Sequence, residues 1–178
     1  MKLSTKELVI CSIFASITAI LAQISIPIPF TTVPLTMQMF SVMICGILLG
    51  SRLGFLSQII YLSLGLIGIP VFSQMGGGIG VLVGPTGGFL ISFPIVSYIV
   101  GYFFEKYKNN ILLLLSMLIA LFISYIIGTF QFSLIAGVSF FKGLLTCVVP
   151  FLIVDFIKVG LAYILGKCIR KRINFKNI

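Results

Sequence analysis

Long apolar runs fill this chain, and only a few polar points interrupt them. Charges at Arg52, Glu105 and Lys142 cut it into uncharged blocks, and one bilayer-crossing helix needs about 20 apolar residues. Block 8–51 has room for two spans, divided near "SIPIPFTTVP", where three prolines exclude a continuous helix. Block 53–104 has room for two more, divided by "SQMGGGIGVLVGPTGG". Blocks 109–141 and 146–166 add one each. The pattern predicts an all-α integral membrane protein, one domain over 1–178, with six transmembrane helices near 6–25, 36–51, 53–69, 87–104, 111–136 and 146–166.

Composition agrees with this reading. Hydrophobic residues make up 60% and charged residues 8%, too few charges to clothe a water-soluble surface. The net charge of +9 would suit nucleic acid in a soluble protein, but here the bases lie between apolar blocks and in "GKCIRKRINFK". That placement fits the lipid bilayer and sets topology, and no nucleic-acid partner is expected. With both termini cytoplasmic, the inner side receives Lys2, Lys6, Arg52, Lys106, Lys108, Lys167, Arg170, Lys171, Arg172 and Lys176, and the outer side only Lys142. Glu7 interrupts the basic start and no A-x-A site follows, so the first apolar run is expected to stay as a span. The expected location is the cell membrane, crossed several times.

This orientation puts two uncharged irregular segments, 26–36 and 70–88, on the outer side. Asp155 and Lys158, at i and i+3, share a helix face inside the last span. Either they form a buried ion pair that fixes helix packing or they face a pocket for a polar substrate. In "GGGIGVLVGPTGG" seven of thirteen residues are glycine, which permits close backbone approach to a ligand or a tight turn between helices. Gly78, Gly80, Gly84, Pro85 and Thr86 are the ligand-contact candidates there. No GK[ST] follows, so a phosphate loop is not expected. Phe30, Tyr61, Phe72 and Phe89 flank the irregular segments, as interface aromatics or as the wall of a cavity. Ala15 and Ala19 form a small-xxx-small pair beside Ser12 and Ser16, suited to internal packing or to a partner helix.

Catalysis is not expected. The chain has three acids and no histidine, and Glu7 and Glu105 lie at the opposite side from Asp155. Cys11, Cys45, Cys147 and Cys168 are scattered without CxxC spacing, so neither metal nor cofactor is expected. No Walker sequence is present, so any ATP hydrolysis would belong to a partner.

In order along the chain come "PIPFTTVPLTMQMF", "GILLGSRLG", "YLSLGLIGIPVF", "LVGPTGGFLISF" and "VDFIKVGLA". Together, from about residue 26 to residue 162, they resemble the BioY family, the biotin-specific substrate-binding (S) components of energy-coupling factor (ECF) transporters. The resemblance implies a six-helix S-component fold that binds biotin from outside with high affinity. It implies a transmembrane coupling (T) subunit and two ATP-binding-cassette ATPases as partners, although some relatives are reported to act without them. It also implies Ala15 and Ala19 as the face that docks on the T subunit and 26–36 as a loop that closes over the vitamin. After GPTGG the family often carries tyrosine where this chain has Phe89. The other readings are an S component for another vitamin and a stand-alone secondary transporter.

Overall fold

Ser4 starts the first helix. Its hydroxyl accepts from the Glu7 amide at 3.2 Å, and the Glu7 carboxylate takes the Ser4 amide at 2.8 Å, a capping box that opens α1 (Thr5–Gln23). The structure is a computed structural model and describes residues 3–29 and 31–172; Phe30, one of the expected cavity aromatics, lies outside them. After α1 come β1 (Ser25–Ile28), β2 (Thr31–Thr36), α2 (Gln38–Leu66), the short α3 (Ile79–Leu82), α4 (Gly87–Lys106), α5 (Asn110–Ala136), α6 (Phe140–Cys147) and α7 (Leu152–Arg172).

Helix α2 is not one rod. Gly50 has φ 82° and ψ −175° inside it, a conformation open to glycine and not to other residues. A Cβ on Gly54 would lie 3.2 Å from the Gly46 Cα, whereas eight residues of unbroken helix would separate them by about 12 Å. Limbs 38–49 and 51–66 therefore fold back on each other. Among the described residues, five helical runs are long and apolar enough to cross a membrane. With the limbs of α2 counted separately, the described residues hold six long helical runs.

Some expectations need correction. Segment 26–36 is no loop: β1 and β2 pair antiparallel, Ser25 opposite Thr36 and Ile28 opposite Thr31, so the fold is helical with one added hairpin. A two-stranded ribbon leaves both outer edges free, which is where its prolines are tolerated. The last span is not one helix over 146–166. Pro150 cannot donate within a helix, and α6 ends at Cys147 before a tight turn at Val149–Phe151 restarts the chain as α7. The second limb of α2 ends at Leu66 rather than 69.

The α2 hairpin is the centre, packed by α1, α4 and α7, and α4 in turn packs on α5. Small residues bring these helices together, as expected where lipid offers no hydrophobic drive. A Cβ on Gly88 would meet the Ile127 carbonyl at 2.6 Å and the Gly128 Cα at 3.0 Å. The pair Ala15/Ala19 belongs to this internal packing. Ala15 is fully buried, and the half-buried Ala19 packs against the core. The outward small residues of α1 are Ser12 and Ser16.

One end of the bundle gathers the charges. Glu7 pairs with Arg52 at 3.7 Å, and Glu105 accepts from the Ser51 amide at 3.0 Å and its hydroxyl at 2.7 Å. Arg170 donates to the Ile47 carbonyl at 2.8 Å, and Lys167 donates to Asn110. The beginning of α1, the bend of α2, the end of α4 and the end of α7 thus meet on one side.

Candidate functional site

At the other end, the break before α7 decides where its acid lies. Asp155 falls in the first turn of α7 rather than midway along a span. Free amides and the helix dipole favour a carboxylate there. Lys158, one turn on, donates to Asp155 Oδ1 at 2.7 Å. The hydroxyl of Tyr125, from α5, donates to Oδ2 at 2.7 Å. Both carboxylate oxygens are therefore engaged, and the acid and base are only 8% and 4% exposed. A buried pair satisfied in this way is tolerable, whereas either member alone would not be.

The three side chains line a cavity that opens to the surface. Residues 33–36 of β2 form one wall, with Gln38 and Met39 at the start of α2. Phe89, Leu90 and Phe93 of α4 form another, and Ser73 and Thr86 come from the glycine-rich segment. Cys147 and Phe151 complete it beside α7. Asp155 and Lys158 are the charged members of this lining, and they cancel. The site suits a neutral head group with both donors and acceptors, joined to an apolar body.

The expected residues divide. Asp155, Lys158, Thr86 and Phe89 come together at the cavity, while Gly78, Gly80, Gly84, Pro85 and Tyr61 do not line it. Gly78 has φ 87° where it opens α3, and a Cβ on Gly80 would meet nothing within 4 Å. The positive φ of Gly78 serves the turn. In GPTGG the Gly84 carbonyl accepts from Gln131 Nε2 at 2.8 Å, Gly87 leaves room for the Leu82 carbonyl of α3, and Gly88 lets α4 approach α5. Tyr61 acts from behind. Fully buried, it donates to the Val71 carbonyl at 3.0 Å and accepts from Gln38 Nε2 at 2.7 Å, while Thr36 donates to Gln38 Oε1 at 2.9 Å. This chain fixes the Gln38 amide in the cavity wall. Phe72 is buried edge-on against Tyr61, with ring centroids 5.6 Å apart.

Reasoning from sequence missed Tyr125, Gln38, Thr36 and Ser73 as lining residues. Thr36 and Gln38 carried a signal, since both stand in the "PIPFTTVPLTMQMF" run. Tyr125 carried none.

Residues 1–175 match the sequence model of the BioY family. A probable biotin transporter BioY of Pyrococcus horikoshii is 39% identical over 165 residues, 93% of this chain and 96% of that protein. The biotin transporter BioY of Thermotoga maritima is 34% identical over 166 residues, 93% of this chain and 96% of that one. A crystal structure of the S-component for biotin from an ECF-type ABC transporter superposes with a TM-score of 0.87 at 27% identity, covering 96% of this chain and 95% of that one.

Proposed function

The chain belongs to the BioY family, and from that premise we propose that it is the biotin-binding S component of an ECF-type uptake system in the cell membrane. It binds vitamin and performs no catalysis. The observation that carries this reading is the buried Asp155–Lys158–Tyr125 cluster at an otherwise uncharged cavity. Biotin's ureido ring offers two N–H donors and a carbonyl, and its ring and chain are apolar. Asp155 takes a ureido N–H in a charge-assisted bond, and Lys158 has donors left for the ureido oxygen. Because Lys158 is already neutralised by Asp155 at 2.7 Å, the pair suits the ureido head better than the valerate carboxylate, which then points to the mouth. Phe89, Leu90 and Phe93 cover the apolar part.

The partners in this reading are a T subunit and two ABC ATPases, which supply the energy. Titrating purified protein in detergent with biotin tests the binding role. Tight saturable binding, retained for desthiobiotin, is expected; binding of another vitamin and none of biotin would overturn it. Uptake into vesicles by the lone protein would favour the stand-alone transporter over the ECF assembly.

A further inference from the structure

Gln23, the last residue of α1, stands where the two irregular parts of the cavity wall meet. Forward along the chain it leads directly into the β1–β2 hairpin, which supplies residues 33–36 to the wall. Sideways it grips the glycine-rich segment. Its Nε2 donates to the Phe72 carbonyl at 3.0 Å and to the Ala19 carbonyl at 3.2 Å, and its Oε1 accepts the Met75 amide at 3.0 Å. One side chain thus brackets Ser73, which lines the cavity.

The bracketed stretch would not hold its shape by itself. Gln74 and Met75 have φ 58° and 57°, left-handed values that residues other than glycine adopt at a cost. Such strain persists only where the surroundings enforce it. Both side chains are exposed, so packing does not enforce it; the backbone bonds do. Phe72 and Gly76 pair with each other, from the Phe72 amide to the Gly76 carbonyl at 2.9 Å, and Gln23 adds the tie to another element. The opposite end of the segment is tied differently. Gln131 donates to the Leu82 and Gly84 carbonyls at 2.7 and 2.8 Å, but it does so from α5, which is locked to α4 through Gly88 and Gly128. Among the described residues, helix α1 packs mainly on α2 and is less buried than α2, α4 or α5.

We propose that Gln23 is a positioning residue that latches the hairpin to the 72–75 turn and so sets how long substrate stays in the cavity. It touches no substrate. Releasing it frees the turn to leave its strained conformation, and with it Ser73 and the Phe72 ring behind Tyr61 and Gln38. The gap opens between α1's end and the turn, while the Gln131 end stays fixed. The proposal rests on the biotin reading of the cavity for its kinetic test only.

The test compares wild type with Gln23→Met, nearly isosteric but unable to make the bonds, in detergent with labelled biotin. Of the three neutral hydrogen bonds lost, two tie Gln23 to the turn, so dissociation should speed up roughly tenfold while association changes less than about twofold. A second variant, Gln23→Cys with Met75→Cys in a Cys168→Ser background, closes the latch covalently with a short thiol cross-linker. Cross-linked protein should release biotin more slowly than wild type, and the same protein without cross-linker faster. Unchanged dissociation in Gln23→Met, or in the cross-linked protein, overturns the latch. Hydrogen exchange separates this from failure of the biotin reading. If wild type binds no biotin, the proposed function falls, and the latch is judged by protection of the 72–76 amides: loss in Gln23→Met supports it, and unchanged protection overturns it.

Discussion

The two ends of the bundle both collect acids, bases and hydroxyls, yet they hold them in opposite ways. At the charged end Glu7, Arg52 and Glu105 are half-exposed or exposed, and they join helix termini that other contacts already bring together. Exposed pairs of this kind contribute about 0–1 kcal/mol. At the cavity end the acid and the base are buried, and Tyr125 takes the oxygen that Lys158 leaves. Nothing there is redundant. The difference shows that the value of a carboxylate in this chain depends on its surroundings: Asp155 is costly to disturb, while Glu7 is not.

The largest effect should come from splitting the buried pair. Asp155→Asn leaves Lys158 buried without its counter-charge, which costs on the order of 3–5 kcal/mol and should abolish measurable biotin binding along with much of the folded yield. The double variant Asp155→Asn, Lys158→Met has no orphan charge. It should recover folding, seen by size-exclusion chromatography and thermal unfolding, without recovering binding. A double variant that binds like wild type would make the pair structural, and the contrast between the two ends would lose its functional meaning.

Next in size is a contrast on α1. Ala15→Trp forces an indole into a fully buried site, and overpacking of this kind costs about 1–3 kcal/mol or more. Its melting point should fall by several degrees, roughly as that range implies. Ser16→Trp points outward and should melt and bind biotin like wild type. Equal damage from both would mean that α1 is rotated from the orientation described.

Tyr125→Phe is milder. It keeps the ring in the wall and removes the hydroxyl from Asp155 Oδ2. A hydrogen bond to a charged group is worth about 1.5–3 kcal/mol, part of which water or ligand replaces, so binding should weaken roughly tenfold. Calorimetry would read this directly. Unchanged affinity would show that Lys158 alone organises the acid.

The spans were legible because lipid demands about 20 apolar residues in sequence, and the bend of α2 because Arg52 stands beside it. The hairpin was half legible. Prolines excluded helix over 26–36, but strand pairing depends on partners that local composition does not name. Tyr125 was hidden in "LFISYIIG", where a tyrosine looks like any membrane aromatic until α5 packs near α7. The choice between Ala15 and Ser16 was hidden for a different reason. Core and lipid are equally apolar, so the helix carries little amphipathic signal to show which face turns inward. Gly78 and Gly80 drew attention through the density of glycine around them, which mixes turn, packing and ligand-approach roles in one segment.

The smallest effect belongs to the charged end, and it is the sharpest check on the comparison. Glu7→Gln removes the charge that faces Arg52 at 3.7 Å and that sits in the first turn of α1, an exposed position where the dipole contributes little. Glutamine at this position still reaches back to the Ser4 amide, so the capping box survives. Salt screens such exposed pairs over about 8–10 Å in ordinary buffers, which weakens the interaction further before it is deleted. The unfolding midpoint should therefore move by no more than about 2 °C, with biotin affinity within roughly twofold of wild type. Raising the salt concentration should narrow the small difference between wild type and variant. A variant that lost biotin as Asp155→Asn does would show that the charged end reaches the cavity through α1, and the two ends would then have to be treated as one coupled system.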